Sequence, residues 1–305
     1  MPITHVRSVG IAVQDLRQAR EFFSRSWGLE EVDRDDERLY LGSGCPESYV
    51  IRLRQAEVPR VDAVSLAVDS AAEVELYAKR VSEHPQARMI DEPGPRQDRG
   101  AGYGFRFFDC DGRTVEVSAD LDLRPFREVA EGEPRPRKIS HVVFNTQDLD
   151  KTRMFYADAL GFKVSDWVED FFCFMRTGST HHLLAFARSE RTSLNHVSFE
   201  MRGLDEFMRA TGSMLRQGHA MLWGPGRHGA GDNTFAYFQD PGTRYVLEYT
   251  TALQEIDEEH GWTPKVYTTS PEDTDQWGTS NPFDEVILAE MHGTTDPGLW
   301  TPAPL

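Results

Sequence analysis

The sequence predicts an α+β protein built from four β-α-β-β-β modules, and three observations carry that prediction. Strand-length runs of apolar residues alternate with single amphipathic stretches of helical period. The series runs twice through the first half of the chain. The second half then repeats the first at an offset of 133 positions: SVGIAVQDL from residue 8 against HVVFNTQDL from 141, and VDAVSLAV from 61 against LNHVSFEM from 194.

Val9, Ile11 and Val13 alternate as in a strand. Asp15 is placed to cap a helix with the stripe Leu16, Ala19, Phe23 and Trp27, which Gly28 stops. Strand patterns follow at 38–41 and 48–53. The second module opens with VDAVSLAV, continues as a helix over 71–83 and ends in strands at 103–108 and 113–118. After a Pro/Arg linker at 134–138 the series restarts. Its first helix uses Met154, Phe155, Ala159 and Leu160 and stops at Gly161, and FFDCDGRTVEV from 107 matches FQDPGTRYVLEY from 238 after a slip of one residue. A repeat this long denotes duplicated domains, since solenoid units are shorter. The expected organisation is an N-terminal scaffold domain over 1–133, a C-terminal domain carrying the chemistry over 134–250, and a tail over 251–305.

Composition narrows the function. Hydrophobic residues make up 39% and charged residues 27% of the 305, as in soluble globular enzymes. A net charge of -17 opposes nucleic-acid binding. No apolar run approaches the roughly 18 residues that span a bilayer, and the N-terminus lacks a signal peptide's basic and cleavage regions. A cytoplasmic protein is expected. Cys45, Cys110 and Cys173 are scattered, which predicts reduced thiols.

The duplication contains its own control. His141 falls on Ser8, His196 on Ala63 and Glu248 on Glu116, so only the second copy combines two imidazoles with a carboxylate. Strand parity puts each of these on the more polar face of its strand. A single strand histidine is more often a hydrogen-bonded core residue, but here both vanish together from the first copy. Two neutral imidazoles and one carboxylate with open positions are the facial triad of non-haem ferrous oxygenases; zinc competes for the same ligand types.

The modules, His141 in SHVVF, His196 in NHVSFE, Glu248 in YVLEY and the segment GPGRHG at 224–229 followed by Tyr237-Phe238-Gln239-Asp240-Pro241 together resemble the vicinal oxygen chelate superfamily. Within it, residues 3–250 are similar to the two-domain type I extradiol ring-cleavage dioxygenases. That resemblance implies modules paired into two open-sided barrels, with Fe(2+) or Mn(2+) on His141, His196 and Glu248. It implies that His182 acts as an acid–base residue beside the oxygen, and that His228 and Tyr237 hydrogen-bond a catecholic substrate. His181 is expected to be structural or exposed. The implied partners are a catechol and O2, in a homo-oligomer of four or more chains. A metal-dependent isomerase or lyase, and a non-catalytic small-molecule binder, are the alternatives on the same fold.

Phe172, Phe174, Phe186, Trp223 and Phe235 are candidates for sandwiching an aromatic ring. His5, His84, His219, His260 and His292 match no motif and are expected at the surface or in packing. Trp262, Trp277 and Trp300 are costly to expose, so parts of the tail are expected to dock, over the cavity mouth or on a neighbouring subunit.

Overall fold

The computed structural model describes residues 3–304. A first sheet holds β1 (His5–Val13), β2 (Glu30–Arg34), β3 (Arg38–Gly42), β4 (Ile51–Gln55) and β5 (Arg60–Ala67). It is completed by the short β6 (Arg88–Met89) and β7 (Gly94–Pro95), then β8 (Tyr103–Phe108) and β9 (Thr114–Ala119). The second sheet starts with β10 (Lys138–Thr146), β11 (Lys163–Val168), β12 (Phe172–Arg176), β13 (Leu184–Arg188) and β14 (Ser193–Glu200). It continues through β15 (Met221–Arg227), β16 (Thr234–Gln239), β17 (Val246–Thr251) and, from the tail, β18 (Lys265–Tyr267). The helices are α1 (Leu16–Arg20), α2 (Ala71–Ser82), α3 (Leu149–Leu160), α4 (Leu204–Arg216), α5 (Pro271–Thr274) and α6 (Glu285–His292).

The strand orders are 2-3-4-1-5-9-8-6, with β7 beside β8, and 15-16-17-14-10-13-12-11-18. Each sheet is therefore two β-α-β-β-β modules joined through the antiparallel pairs β1/β5 and β10/β14. The register repeats as the sequence does: Ser8 faces Ser65 and Gly10 faces Ala63, as His141 faces Ser198 and Val143 faces His196. Even the two irregularities in each pair recur at the same relative positions.

Local chemistry sets the helix ends. The carboxylates of Asp15 and Asp148 accept from the backbone N–H three residues on and cap α1 and α3. Gly161 closes α3 at φ 75°, a conformation that suits glycine. The first helix departs from expectation by continuing beyond Arg20 as a π-type helix over Glu21–Ser26. On α3, Phe155, Ala159 and Leu160 are buried, but Met154 is 48% exposed and the inward stripe runs through Leu149 and Tyr156 instead. The two sheets share one hydrophobic core. At their junction Trp27 stacks on Tyr249 at 3.8 Å, and the Tyr249 hydroxyl donates to the Trp27 carbonyl at 2.8 Å. No helix is long and apolar enough to cross a membrane among the described residues, and all three cysteines are free.

The tail docks on both halves. Trp262 donates to the Ser165 carbonyl at 2.6 Å beside β18, and Asn145 donates to the carbonyls of Met291 and His292 at the end of α6. Farther on, Asp296 accepts from Val61 N at 3.0 Å and Trp300 N donates to Gly112 O at 2.8 Å, both on the first half. Trp277 and Trp300 nonetheless stay 40% and 41% exposed. Arginines lie over both rings, Arg227 on Trp277 and Arg88 on Trp300, so cation–π contact covers them where burial does not.

Candidate metal centre

The second sheet curls so that side chains from β10, β11, β12, β14 and β16 meet in a single cavity of about 290 Å³. His141 enters from β10, His196 from β14 and Glu248 from β17, all buried. One ligand atom from each lies within 4.8 Å of the others, and no other such group occurs among the described residues. His141 Nε2 is 3.0 Å and His196 Nε2 3.6 Å from Glu248 Oε2.

Three acceptors here have no hydrogen-bond partner: His196 Nε2 and both oxygens of Glu248. Leaving such groups buried costs about 1–3 kcal/mol each, and here all three lie at one point. Burial holds the His141 and His196 imidazoles down at about 3, so their lone pairs stay free, and it pushes the Glu248 carboxyl up despite the nearby His196 and His228. The donor set, its neutral imidazoles and its orphaned oxygens fit a divalent metal.

The nitrogens facing away from the cavity are engaged. His196 Nδ1 donates to Asn195 Oδ1 at 2.7 Å, and Asn195 donates to Asn145 Oδ1 at 2.9 Å. That directs Nε2 toward the centre. His141 Nδ1 meets Ser140 Oγ at 3.1 Å.

His182 lies against the His141 ring at 4.2 Å and lines the cavity. His181 is wholly buried, which removes the alternative of an exposed residue. Its Nε2 donates to Asp166 at 2.9 Å, leaving Nδ1 to accept from His182 Nδ1 at 2.9 Å. The chain Asp166–His181–His182 thereby turns the His182 Nε2 lone pair to the cavity. Burial, followed by the neighbouring imidazoles, holds His182 well below the ordinary histidine range.

On the opposite flank, His228 Nδ1 donates to the Thr274 carbonyl of the tail at 3.2 Å, and its Nε2 accepts from the Tyr237 hydroxyl at 3.0 Å. Phe235 stacks under the His228 ring at 4.0 Å. Burial lowers His228 and, aided by Glu248, raises Tyr237 well above the usual phenol range, so the phenol remains a donor.

Of the aromatic candidates, Phe172, Phe174 and Trp223 line the cavity. Phe186 does not: it points into the core against Phe144 and Tyr156. Phe235 supports His228 and Trp223 from behind. The remaining wall had no sequence signal. Phe171, Asn195, Thr268, Asp273, Phe283 and Met291 reach it through tertiary packing, the last four from the tail. His5, His84, His219, His260 and His292 are all outside the cavity, His84 packing on Phe155 and His219 on Phe22.

Paired β-α-β-β-β modules around an inward-facing histidine–histidine–glutamate group define a class of metal-site proteins on this scaffold. Residues 138–249 match the Glyoxalase/Bleomycin resistance protein/Dioxygenase superfamily, and the chain belongs to that superfamily. It is 30% identical to metapyrocatechase 2 of Cupriavidus necator over 216 residues, 64% of this chain and 66% of that enzyme. The Mn(II)-bound glyoxalase structure from Novosphingobium aromaticivorans is 38% identical, with a TM-score of 0.93 over 99% of this chain and 98% of that one. Homoprotocatechuate 2,3-dioxygenase of Brevibacterium fuscum in complex with 3,4-dihydroxyphenylacetate shares the fold at a TM-score of 0.82 and 22% identity, over 94% of this chain and 92% of that one.

Proposed function

We propose that the protein is an extradiol dioxygenase that opens a catechol-type ring beside its vicinal hydroxyls, with ferrous iron, or manganese in its place, on His141, His196 and Glu248. The observation that supports this most is the set of orphaned acceptors facing one point at the floor of an aromatic-walled cavity. When bound, the metal would supply Lewis acidity toward a diol and dioxygen.

The chain's own residues handle the protons. The Tyr237 hydroxyl turns from His228 Nε2 to the substrate, which frees the neutral His228 to accept a proton from a substrate hydroxyl at Nε2 while Tyr237 donates a hydrogen bond to the resulting oxyanion. His182, with its lone pair aimed inward by His181 and Asp166, takes and returns a proton on the oxygen side. Aromatic side chains orient the ring and exclude water. The first half, whose matching positions carry Ser8 and Ala63, serves as scaffold. On this reading the enzyme works in the cytoplasm, as a homo-oligomer of four or more chains.

Protein loaded anaerobically with ferrous iron should convert members of a catechol panel into coloured ring-opened semialdehydes with oxygen uptake, and His196→Ala should abolish both. No turnover across a broad panel would sink the reading. The 38% identical structure described as a glyoxalase favours a second one, a metal-dependent isomerase; turnover of hemithioacetals with no oxygen uptake would select it.

A further inference from the structure

We propose that the substrate of this site is a catechol whose ring substituent is uncharged and apolar, and that catechols bearing a carboxylate are selected against. The inference rests on the ring-cleavage reading and adds the substrate class to it.

The metal group is at the cavity floor, so a chelated diol points its substituents at the outer wall. That wall is mostly Phe171, Phe172, Trp223, Phe283, Leu288 and Met291, with the threonines of the tail between them. Trp223 offers its ring rather than its N–H, because Nε1 donates to the Asn281 carbonyl at 3.0 Å. The acidic residue among the lining residues is Asp273, at the start of α5. Its carboxylate accepts from Thr268 N at 2.8 Å and Thr268 Oγ1 at 2.7 Å, bonds that hold it below the usual carboxylate range.

The nearby cations are committed outside the cavity. Arg227 makes a two-pronged pair with Asp232 at 2.8 and 2.9 Å, Lys265 sits over Trp262, and Arg188 and Arg191 line a separate groove on the other side of Leu288, bonded to the carbonyls of Asp170 and Gly293. A substrate carboxylate would therefore lose hydration largely against aromatic and aliphatic groups, with no lysine or arginine among the lining residues and Asp273 among them. An ethyl or similar group in the same place loses nothing and gains apolar contact. The similar fold that binds 3,4-dihydroxyphenylacetate does not transfer that ligand here, because fold does not carry specificity.

The test uses the full-length protein loaded with ferrous iron and the near-isosteric ligands 4-ethylcatechol and 3,4-dihydroxyphenylacetate, together with the corresponding 3-substituted pair. Anaerobic titration followed by tryptophan fluorescence gives Kd, and aerobic turnover gives kcat/KM. The acid of each pair should bind and react at least about tenfold more weakly. Asp273→Asn should narrow that gap and Asp273→Arg should close or reverse it. An acid that binds as tightly as its ethyl partner overturns the inference, as does a gap that neither variant moves. If the ethyl compound binds more tightly but is not cleaved, the reaction assignment falls and the ligand class stands. Cleavage of both at equal rates does the opposite, and failure of every catechol to bind removes both.

Discussion

The same carboxylate sits at the same register position in both sheets, and its surroundings differ completely. Glu116 faces Ser65 and Arg106, as Glu248 faces Ser198 and Tyr237. Arg96 follows the paired Pro95, as His228 follows the paired Arg227. In the first sheet Glu116 accepts from Ser65 at 2.8 Å and pairs with Arg96 at 3.0 Å. In the second sheet both Glu248 oxygens and the Ser198 hydroxyl lack a hydrogen bond, and imidazoles rather than a guanidinium lie beside the carboxylate. Where Ala185 leaves room in the second barrel, its counterpart Arg52 fills the first and pairs with Asp98, which also accepts from Tyr40 and Tyr49. The half-buried carboxylate of the first copy draws a cation from its own chain, and on the proposed reading the buried one of the second leaves that position for a metal.

That contrast can be broken from either side. The largest effect is expected for His196→Ala, which should reduce both metal content and ring cleavage to background by elemental analysis and oxygen uptake. Glu116→Gln, at the first copy's counterpart of Glu248, should leave metal content unchanged. His228→Arg should place the Arg96 solution in the second barrel, pairing with Glu248, so metal content should fall sharply while the protein stays folded by circular dichroism.

Asp98→Ala strands the buried Arg52 and should cost about 3–5 kcal/mol in denaturant unfolding, with no loss of metal from the second barrel. Asp166→Asn weakens the hold on His181 and, through it, on His182. It should lower kcat about 10- to 100-fold with KM and metal content little changed.

The smallest effect is on acid tolerance. His141, His182, His196 and His228 have folded pKa values below the unfolded value. Below roughly pH 6.5 the unfolded chain therefore binds more protons. Metal-free protein should lose stability as pH falls from about 6.5 toward 3, and His182→Gln should reduce that slope, read as denaturation midpoints against pH.

Much of this architecture was legible because its signals are local and doubled. The offset of 133 aligns the two copies through residue identities alone, and strand period places His141, His196 and Glu248 on consistent faces. Features that depend on distant contacts were not legible. The charged segment EEVDR, which became β2, has no apolar alternation because it is a largely exposed edge strand. Phe186 and Phe235 satisfy the composition of a pocket wall, but the curl of the sheet turns one into the core and the other behind His228. Arg52 and Arg96 read as ordinary surface charge, and only the fold brings them inside against Asp98 and Glu116. The tail's share of the cavity wall follows from docking that no periodicity announces.

The Arg96–Glu116 pair also bears on how such a protein can change over generations. Rebuilding a metal centre in the first copy would require histidines at Ser8 and Ala63 and the removal of Arg52 and Arg96. Taken singly, loss of either arginine leaves a half-buried acid without its guanidinium partner, a cost set against the roughly 5–15 kcal/mol that keeps a domain folded. The two copies therefore satisfy the same acid by different means, and no single substitution converts one arrangement into the other.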